Sequence, residues 1–179
     1  MKLRRAVLSD KAALLAMIEA FERHLNAIHP DEHPIRPRDA LARAAELLCG
    51  PDPAFMALIA ERDGVALGYI GLQTILWMDD AAPAVWLSDV FVVEGARGAG
   101  VGAALLEGAR GHARSIGAQR LVWTVWDRNA PAMAFYGRQG AEAVHGEVLM
   151  AMRVGGGTGG PAARAASDPR VMGLTFEDD

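Results

Sequence analysis

Residues 85–102, VWLSDVFVVEGARGAGVG, decide how this chain is organised. A β-branched and aromatic run over 85–93 gives way to a loop with glycines at 95, 98, 100 and 102 around Arg97. The run is too continuously apolar for a strand with one wet face, which predicts a central strand covered on both faces. Beyond the loop, Val101, Leu105, Ala109, Ala113 and Ile116 recur at helical spacing and predict an amphipathic helix over 101–116. The first amides of a helix lack intrahelical partners and carry partial positive charge, and glycines let an anion approach them. Strand, glycine loop and helix therefore read as a phosphate cradle, with Arg97 able to add a charge-assisted pair to a pyrophosphate. The bland alternative is a tight turn. A P-loop is excluded, because it needs Lys then Ser or Thr after its last glycine, and here Gly100 is followed by Val101 and Gly102. A dinucleotide fingerprint fits loosely as Gly98-x-Gly100-x-x-Ala103, with Asp127 as the ribose ligand. That fold would place its glycine loop after the first strand, and three expected strands precede this one.

A third reading rests on a resemblance. Arg97, Gly100 and Gly102 match the Arg/Gln-x-x-Gly-x-Gly/Ala acyl-CoA loop of the GNAT acetyltransferases. Residues 119–126, QRLVWTVW, predict a second strong strand, and the succession Asn129, Ala132, Phe135, Tyr136, Gly140, Ala141 resembles the segment after the fifth strand of that superfamily. The likeness covers residues 1–153, with its motifs between 85 and 141. It implies an α/β GNAT fold: a mixed, mostly antiparallel, seven-stranded sheet with splayed central strands, flanked by four helices. It also implies acetyl-CoA as co-substrate and no metal. The pantetheine would pair with backbone at Phe91, Val92 and Val93. The pyrophosphate would sit on Arg97, Gly98, Ala99, Gly100, Val101, Gly102 and Ala103, with Asn129 reaching the cofactor from the other side. Tyr136 matches the residue that touches the departing thiolate as general acid; its bland alternative is a packed helix aromatic. The implied reaction is direct attack of a neutral amine on the thioester, with a main-chain N–H of the central strand stabilising the oxyanion.

Within the superfamily, residues 86–93 and 124–136 look most like the diamine and thialysine acetyltransferases, where Leu-Glu-Asp precedes an aromatic-Val pair. Here the triplet is Leu87-Ser88-Asp89, so one carboxylate is missing. Asp89 is the candidate to hold an ammonium group or relay its proton; alternatively it only bonds neighbouring backbone. Glu94, Asp79 and Asp80 are weaker candidates. The expected acceptor is a small primary or amino-acid-like amine, ahead of a protein N-terminus, a lysine side chain or an aminoglycoside. A reading from another class is a non-catalytic acyl-CoA sensor.

The chain has 179 residues, enough for one domain that buries roughly 70% of its unfolded surface. A net charge of −4 argues against a broad nucleic-acid surface and leaves room for a cationic substrate. The single cysteine, Cys49, excludes an internal disulfide and suits a reducing cytoplasm. No apolar h-region or membrane span is legible, so a cytoplasmic protein is expected, with a homodimer left open. A short strand over 2–7 is followed by Ser9-Asp10, cap chemistry for a helix with Leu14, Met17, Ile18, Phe21 and Leu25 as its core stripe. His24, His29 and His33 are read as a loop rim over the site, because their spacing runs across Pro30 and is unsuited to metal. Pro37 opens a second helix that Gly50 ends. Strands over 55–62 and 66–77 flank Asp63-Gly64, a strong hairpin signal. A helix over 129–139 and strands over 141–145 and 148–154 are expected to complete a domain over 1–154, with 155–179 expected as a flexible Gly/Ala/Pro-rich tail.

Overall fold

Asp63 and Gly64 fold the chain back on itself with φ of 53° and 78°, the double positive φ that lets a two-residue turn match the twist of its strands. A computed structural model describes residues 1–28, 30–31, 33–126, 129–144 and 149. Its elements run β1 (Lys2–Arg5), α1 (Lys11–Ile28), α2 (Arg38–Cys49), β2 (Phe55–Arg62), β3 (Val65–Trp77), β4 (Ala82–Val92), α3 (Val101–Ser115), β5 (Arg120–Val122) and α4 (Ala130–Arg138). The strands form one sheet in the order β1-β2-β3-β4-β5. β1 to β4 pair antiparallel, and β5 lies parallel to β4 after the α3 crossover.

Two cores sandwich the sheet. On one face Leu14, Met17 and Ile18 of α1 and Leu41, Ala45 and Leu48 of α2 cover Ala57, Ile59, Tyr69 and Phe91. On the other, Val101, Leu105, Leu106 and Ala109 of α3 cover Ile70, Leu72, Val85 and Leu87. α1 starts after Asp10, whose carboxylate accepts from Val7 N at 2.9 Å and is gripped by the Arg4 fork at 2.6 and 2.8 Å.

β4 holds the feature that positions the site. Its pairing with β3 runs Ile70↔Val90 and then Leu72↔Leu87, so Ser88 and Asp89 together oppose Gly71 alone. This is a β-bulge, one extra residue in β4, which reverses the in/out alternation of the strand. Val85 and Leu87 therefore face α3, whereas Phe91 faces α1. Gly71 makes room: a Cβ there would collide with the Ser88 hydroxyl and touch Leu48.

Three expectations are corrected. Five strands are found among the described residues in place of seven. Residues 141–144 form no strand, and the strand expected over 148–154 and the tail 155–179 lie outside the described residues, Leu149 excepted. The strand expected over 119–126 is ordered only at Arg120–Val122, because the parallel ladder ends at Trp86↔Val122. The central strand is covered on both faces except at Ser88, which is exposed.

Gly68 opposes Val92, and an added Cβ would stand 2.5 Å from the Phe91 carbonyl oxygen and 3.2 Å from Val92 Cα. Because those atoms are backbone, relief requires β4 to move. Gly68→Ala is expected to lower stability by about 1–3 kcal/mol, read from urea unfolding, with amide shifts concentrated at Phe91 and Val92.

Candidate active site

Where β4 and β5 part, a cavity of about 670 Å³ opens. Residues 87–92 form one wall and residues 123–126 the other, with Phe21, His24 and Leu25 of α1, the glycine loop and one face of α4 completing it. A larger hollow of about 850 Å³ lies beyond β5 against Trp77, Trp86 and Arg120; it shares Tyr136 but includes neither Asp89 nor the glycine loop.

The loop has the backbone its glycines anticipate. Gly98 and Gly100 hold φ of 77° and 79°, which side-chain-bearing residues adopt only at a cost. Gly100 is the N-cap of α3 and its carbonyl takes Ala104 N at 3.0 Å, so the amides of Val101, Gly102 and Ala103 stand at the start of the helix without intrahelical partners. A Cβ on Gly102 would lie 3.1 Å from the Phe135 ring; its absence lets α3 and α4 meet. Arg97 is exposed and its Nε donates to Val92 O at 3.2 Å. Of the residues read from the sequence as cofactor contacts, Phe91, Val92, Arg97, Gly98, Gly100, Val101, Gly102, Ala103 and Asn129 border the cavity. Val93 and Ala99 do not. Their amides turn inward, Val93 N to Leu67 O at 2.9 Å and Ala99 N to Ala96 O at 3.4 Å.

Asp89, aimed by the bulge, borders the cavity and accepts a hydrogen bond from Tyr69 Oη at 3.3 Å. Burial pushes its carboxyl above its ordinary value, against the opposing charge of Arg36 and the Tyr69 hydrogen bond. Tyr69 is fully buried, and burial together with the Asp89 charge drives its phenol well up. The alternative that Asp89 only bonds backbone is not what the geometry shows. Tyr136 stacks obliquely on Trp123 and Phe135, with ring centroids 5.0 and 5.2 Å apart. Burial and the Asp89 charge push its phenol up to about 12. Asn129 caps α4, its Oδ1 accepting from Ala132 N at 3.2 Å.

A further group was not anticipated. Glu22, 2% exposed, accepts from Arg36 Nε at 3.1 Å, Arg36 Nη2 at 2.6 Å and Arg36 N at 3.3 Å, and meets His33 Nε2 at 3.2 Å. Burial opposes its ionisation, but the Arg36 pairing prevails and holds the carboxyl below its usual value. The signal was present: Glu22 follows Ile18 by one helical turn, a carboxylate on the buried stripe of α1. His33 meets Trp126 edge-on at 5.5 Å. His24 lies in α1, not in a loop, where burial and Arg97 push its imidazole down; His29 and Asp127 lie outside the described residues. Asp80 is engaged by Arg120 at 2.5 Å through both oxygens, and neither Asp79, Asp80 nor Glu94 borders the cavity.

The model of the Acetyltransferase (GNAT) family matches residues 18–141. No curated protein matches. Among solved structures, the chain is similar to a probable acetyltransferase at 18% identity and TM-score 0.73, covering 88% of this chain and 100% of that one. It is similar to a possible acetyltransferase from Clostridium difficile 630 at 12% identity and TM-score 0.74, covering 86% and 98%. A ribosomal-protein-alanine N-acetyltransferase from Brucella melitensis biovar Abortus 2308 aligns at 19% identity and TM-score 0.65, covering 85% and 100%. At these identities the likenesses show the shared fold.

Tyr69→Phe removes the hydrogen bond that lowers the Asp89 carboxyl, so Asp89 should titrate at still higher pH, followed by carboxyl carbon NMR. A buried carboxyl with a raised value keeps its proton in the folded state longer than in the unfolded one, so stability falls as pH rises between the ordinary and the raised value. That fall should be steeper in Tyr69→Phe, costing about 1–3 kcal/mol once Asp89 is ionised, as read from unfolding at a series of pH values.

Proposed function

Because the chain belongs to the GNAT acetyltransferase family and is an acyltransferase, we propose that it moves the acetyl group of acetyl-CoA to a small primary amine by direct attack in a ternary complex. The observation that carries this reading is that Asp89 and Tyr136 border one cavity together with the glycine loop. Positive-φ glycines, the unpaired amides at the start of α3 and Arg97 make a cradle suited to a diphosphate. Acetyl-CoA supplies the thioester carbonyl and a thiolate leaving group.

An alkylammonium with a value near 10.4 keeps its proton at pH 7, and removing it costs about 4–5 kcal/mol. Asp89 holds the ammonium and takes up that proton, directly or through water; its raised carboxyl makes it a stronger base than a surface carboxylate. Tyr136 is protonated at neutral pH. Full transfer of its proton to a thiolate near 8.5 would be uphill by about 5 kcal/mol, so it acts by donating a hydrogen bond to the departing sulfur. His33 and Trp126 border the cavity in contact with each other, which supports a small amine over a protein lysine or N-terminus as the acceptor. Ser88, standing where the diamine enzymes carry a carboxylate, favours recognition of one ammonium group over two.

Acetyl-CoA should raise the melting temperature and NAD should not. Arg97→Ala should weaken acetyl-CoA binding by about 1.5–3 kcal/mol; a shift with NAD alone would overturn the assignment.

With an amine substrate, Tyr136→Phe should lower kcat by about 10² to 10⁴ while leaving acetyl-CoA affinity nearly unchanged. Asp89→Asn should instead lower kcat/KM for the amine and abolish the acid-side limb of its pH profile. Wild-type rates in both variants would reduce the pair to packing.

A further inference from the structure

The charge around the acceptor end is not that of a cavity built for a simple cation. Among the described residues that line it, the ionisable side chains besides Tyr136 are Asp89, Arg36, Arg97, Arg138, His24 and His33. Arg97 belongs to the glycine loop, 8 residues beyond Asp89 in sequence, and its charge reaches His24. Arg36 and His33 belong to the other end, where the Arg36 charge draws the Asp89 carboxyl down and its partner Glu22 partly offsets it.

Arg36 is held in an unusual way. Its Nε and Nη2 are fixed on Glu22, a carboxylate buried to 3% side-chain exposure, while half of the Arg36 side chain, 53%, stays exposed. A buried carboxylate is costly to desolvate, and here its three contacts with Arg36 fix the orientation of that guanidinium. Nη1 is the edge of the guanidinium that this grip leaves over, and a planar fork held on one side is preorganised to take a second oxyanion on the other. His33 adds a ring nitrogen to the same cluster at 3.2 Å from Glu22 and meets Trp126 edge-on, both bordering the cavity.

We infer that Arg36, positioned by Glu22 and assisted by His33, forms a carboxylate-binding subsite, so that the acceptor is an amine that also carries a carboxylate. The inference rests on the amine-acceptor reading of the same site. Asp89 takes the ammonium end and Arg36 the carboxylate end. A diamine would bring its second charge against Arg36, a like-charge contact that disfavours it. The simpler explanation is that Glu22 serves only to pin residues 33–36 onto α1, and it predicts no preference among acceptors.

The test compares amines of equal length that differ in one end group: β-alanine against propylamine and 4-aminobutyrate against butylamine, with 1,4-diaminobutane as the dicationic arm. The expected result is a kcat/KM at least about tenfold higher for the carboxylate-bearing member of a pair, expressed mainly in KM. Arg36→Gln alone leaves Glu22 buried without its partner, so the diagnostic variant is Glu22→Gln with Arg36→Gln, checked for a wild-type-like acetyl-CoA melting shift. In it the ratio should collapse towards one, and His33→Ala should lower it part of the way. Turnover of both members of each pair at equal kcat/KM, or a preference for the diamine, would overturn the carboxylate subsite while leaving the amine reading standing. Failure of every small amine, alongside acetylation of a peptide, would overturn both.

Discussion

One extra residue in β4 sets the geometry of everything around it. With Ser88 and Asp89 together facing Gly71, the ladder loses a step, and the strand leaves the bulge with its faces exchanged. Without that exchange, Phe91 would share the face of Val85 and Leu87 under α3. It packs instead with Tyr69 beneath α1, at a ring distance of 6.3 Å. The same displacement brings Asp89 beside the Tyr69 hydroxyl. It begins two residues after the last rung shared with β5, Trp86↔Val122, so β4 bends where it has already lost its neighbour. The cavity is the space between a bulged strand and one that has stopped pairing. Gly71 permits it, since any side chain there would displace Ser88.

Two carboxylates then stand near the acceptor end and receive opposite treatment. Glu22 is given four donor contacts, three from Arg36, and stays ionised despite its burial. Asp89 is given one neutral phenol, and burial raises its carboxyl above its ordinary value. A fully paired carboxylate is a structural anchor, because its lone pairs are spent; one with a single weak donor keeps an oxygen for a ligand or a proton. The division of labour follows from partner number. The Glu22 cluster also ties α1 to residues 33–36, which have no regular structure of their own, and so fixes one side of the cavity.

Much of this was legible in the sequence because the signals were local. Asp63-Gly64 demanded its turn, Gly98 and Gly100 marked positive φ, and the spacing of Val101, Leu105 and Ala109 gave the buried face of α3. What escaped depended on pairing across strands. An apolar run such as 85–93 reads the same with or without a bulge, because both faces are covered and no polar alternation records the slip. Residues 123–126 are as β-prone as 120–122, but strand formation there needs a partner, and β4 has turned away. Val93 and Ala99 fall outside the cavity though their neighbours line it, because their amides are spent on Leu67 O and Ala96 O, pairings that no local pattern announces. Tyr69 resembled core because it is core; only its hydroxyl serves the site. Glu22 was the one hidden residue with a visible mark, a charge on a buried helical stripe.

The raised phenol of Tyr136 at first looks unsuited to assisting a leaving thiolate. Its two causes differ in kind, however. Burial is permanent, whereas the Asp89 charge is present only while that carboxyl is ionised. In the proposed reaction Asp89 takes the ammonium proton and becomes neutral at the stage when negative charge grows on the sulfur. Losing a nearby anion lowers the cost of sharing the Tyr136 proton, so the hydroxyl becomes a better hydrogen-bond donor as the sulfur begins to need one. The two residues need not touch for this to operate. They need only border one cavity, which is what the bulge in β4 and the early end of β5 create between them.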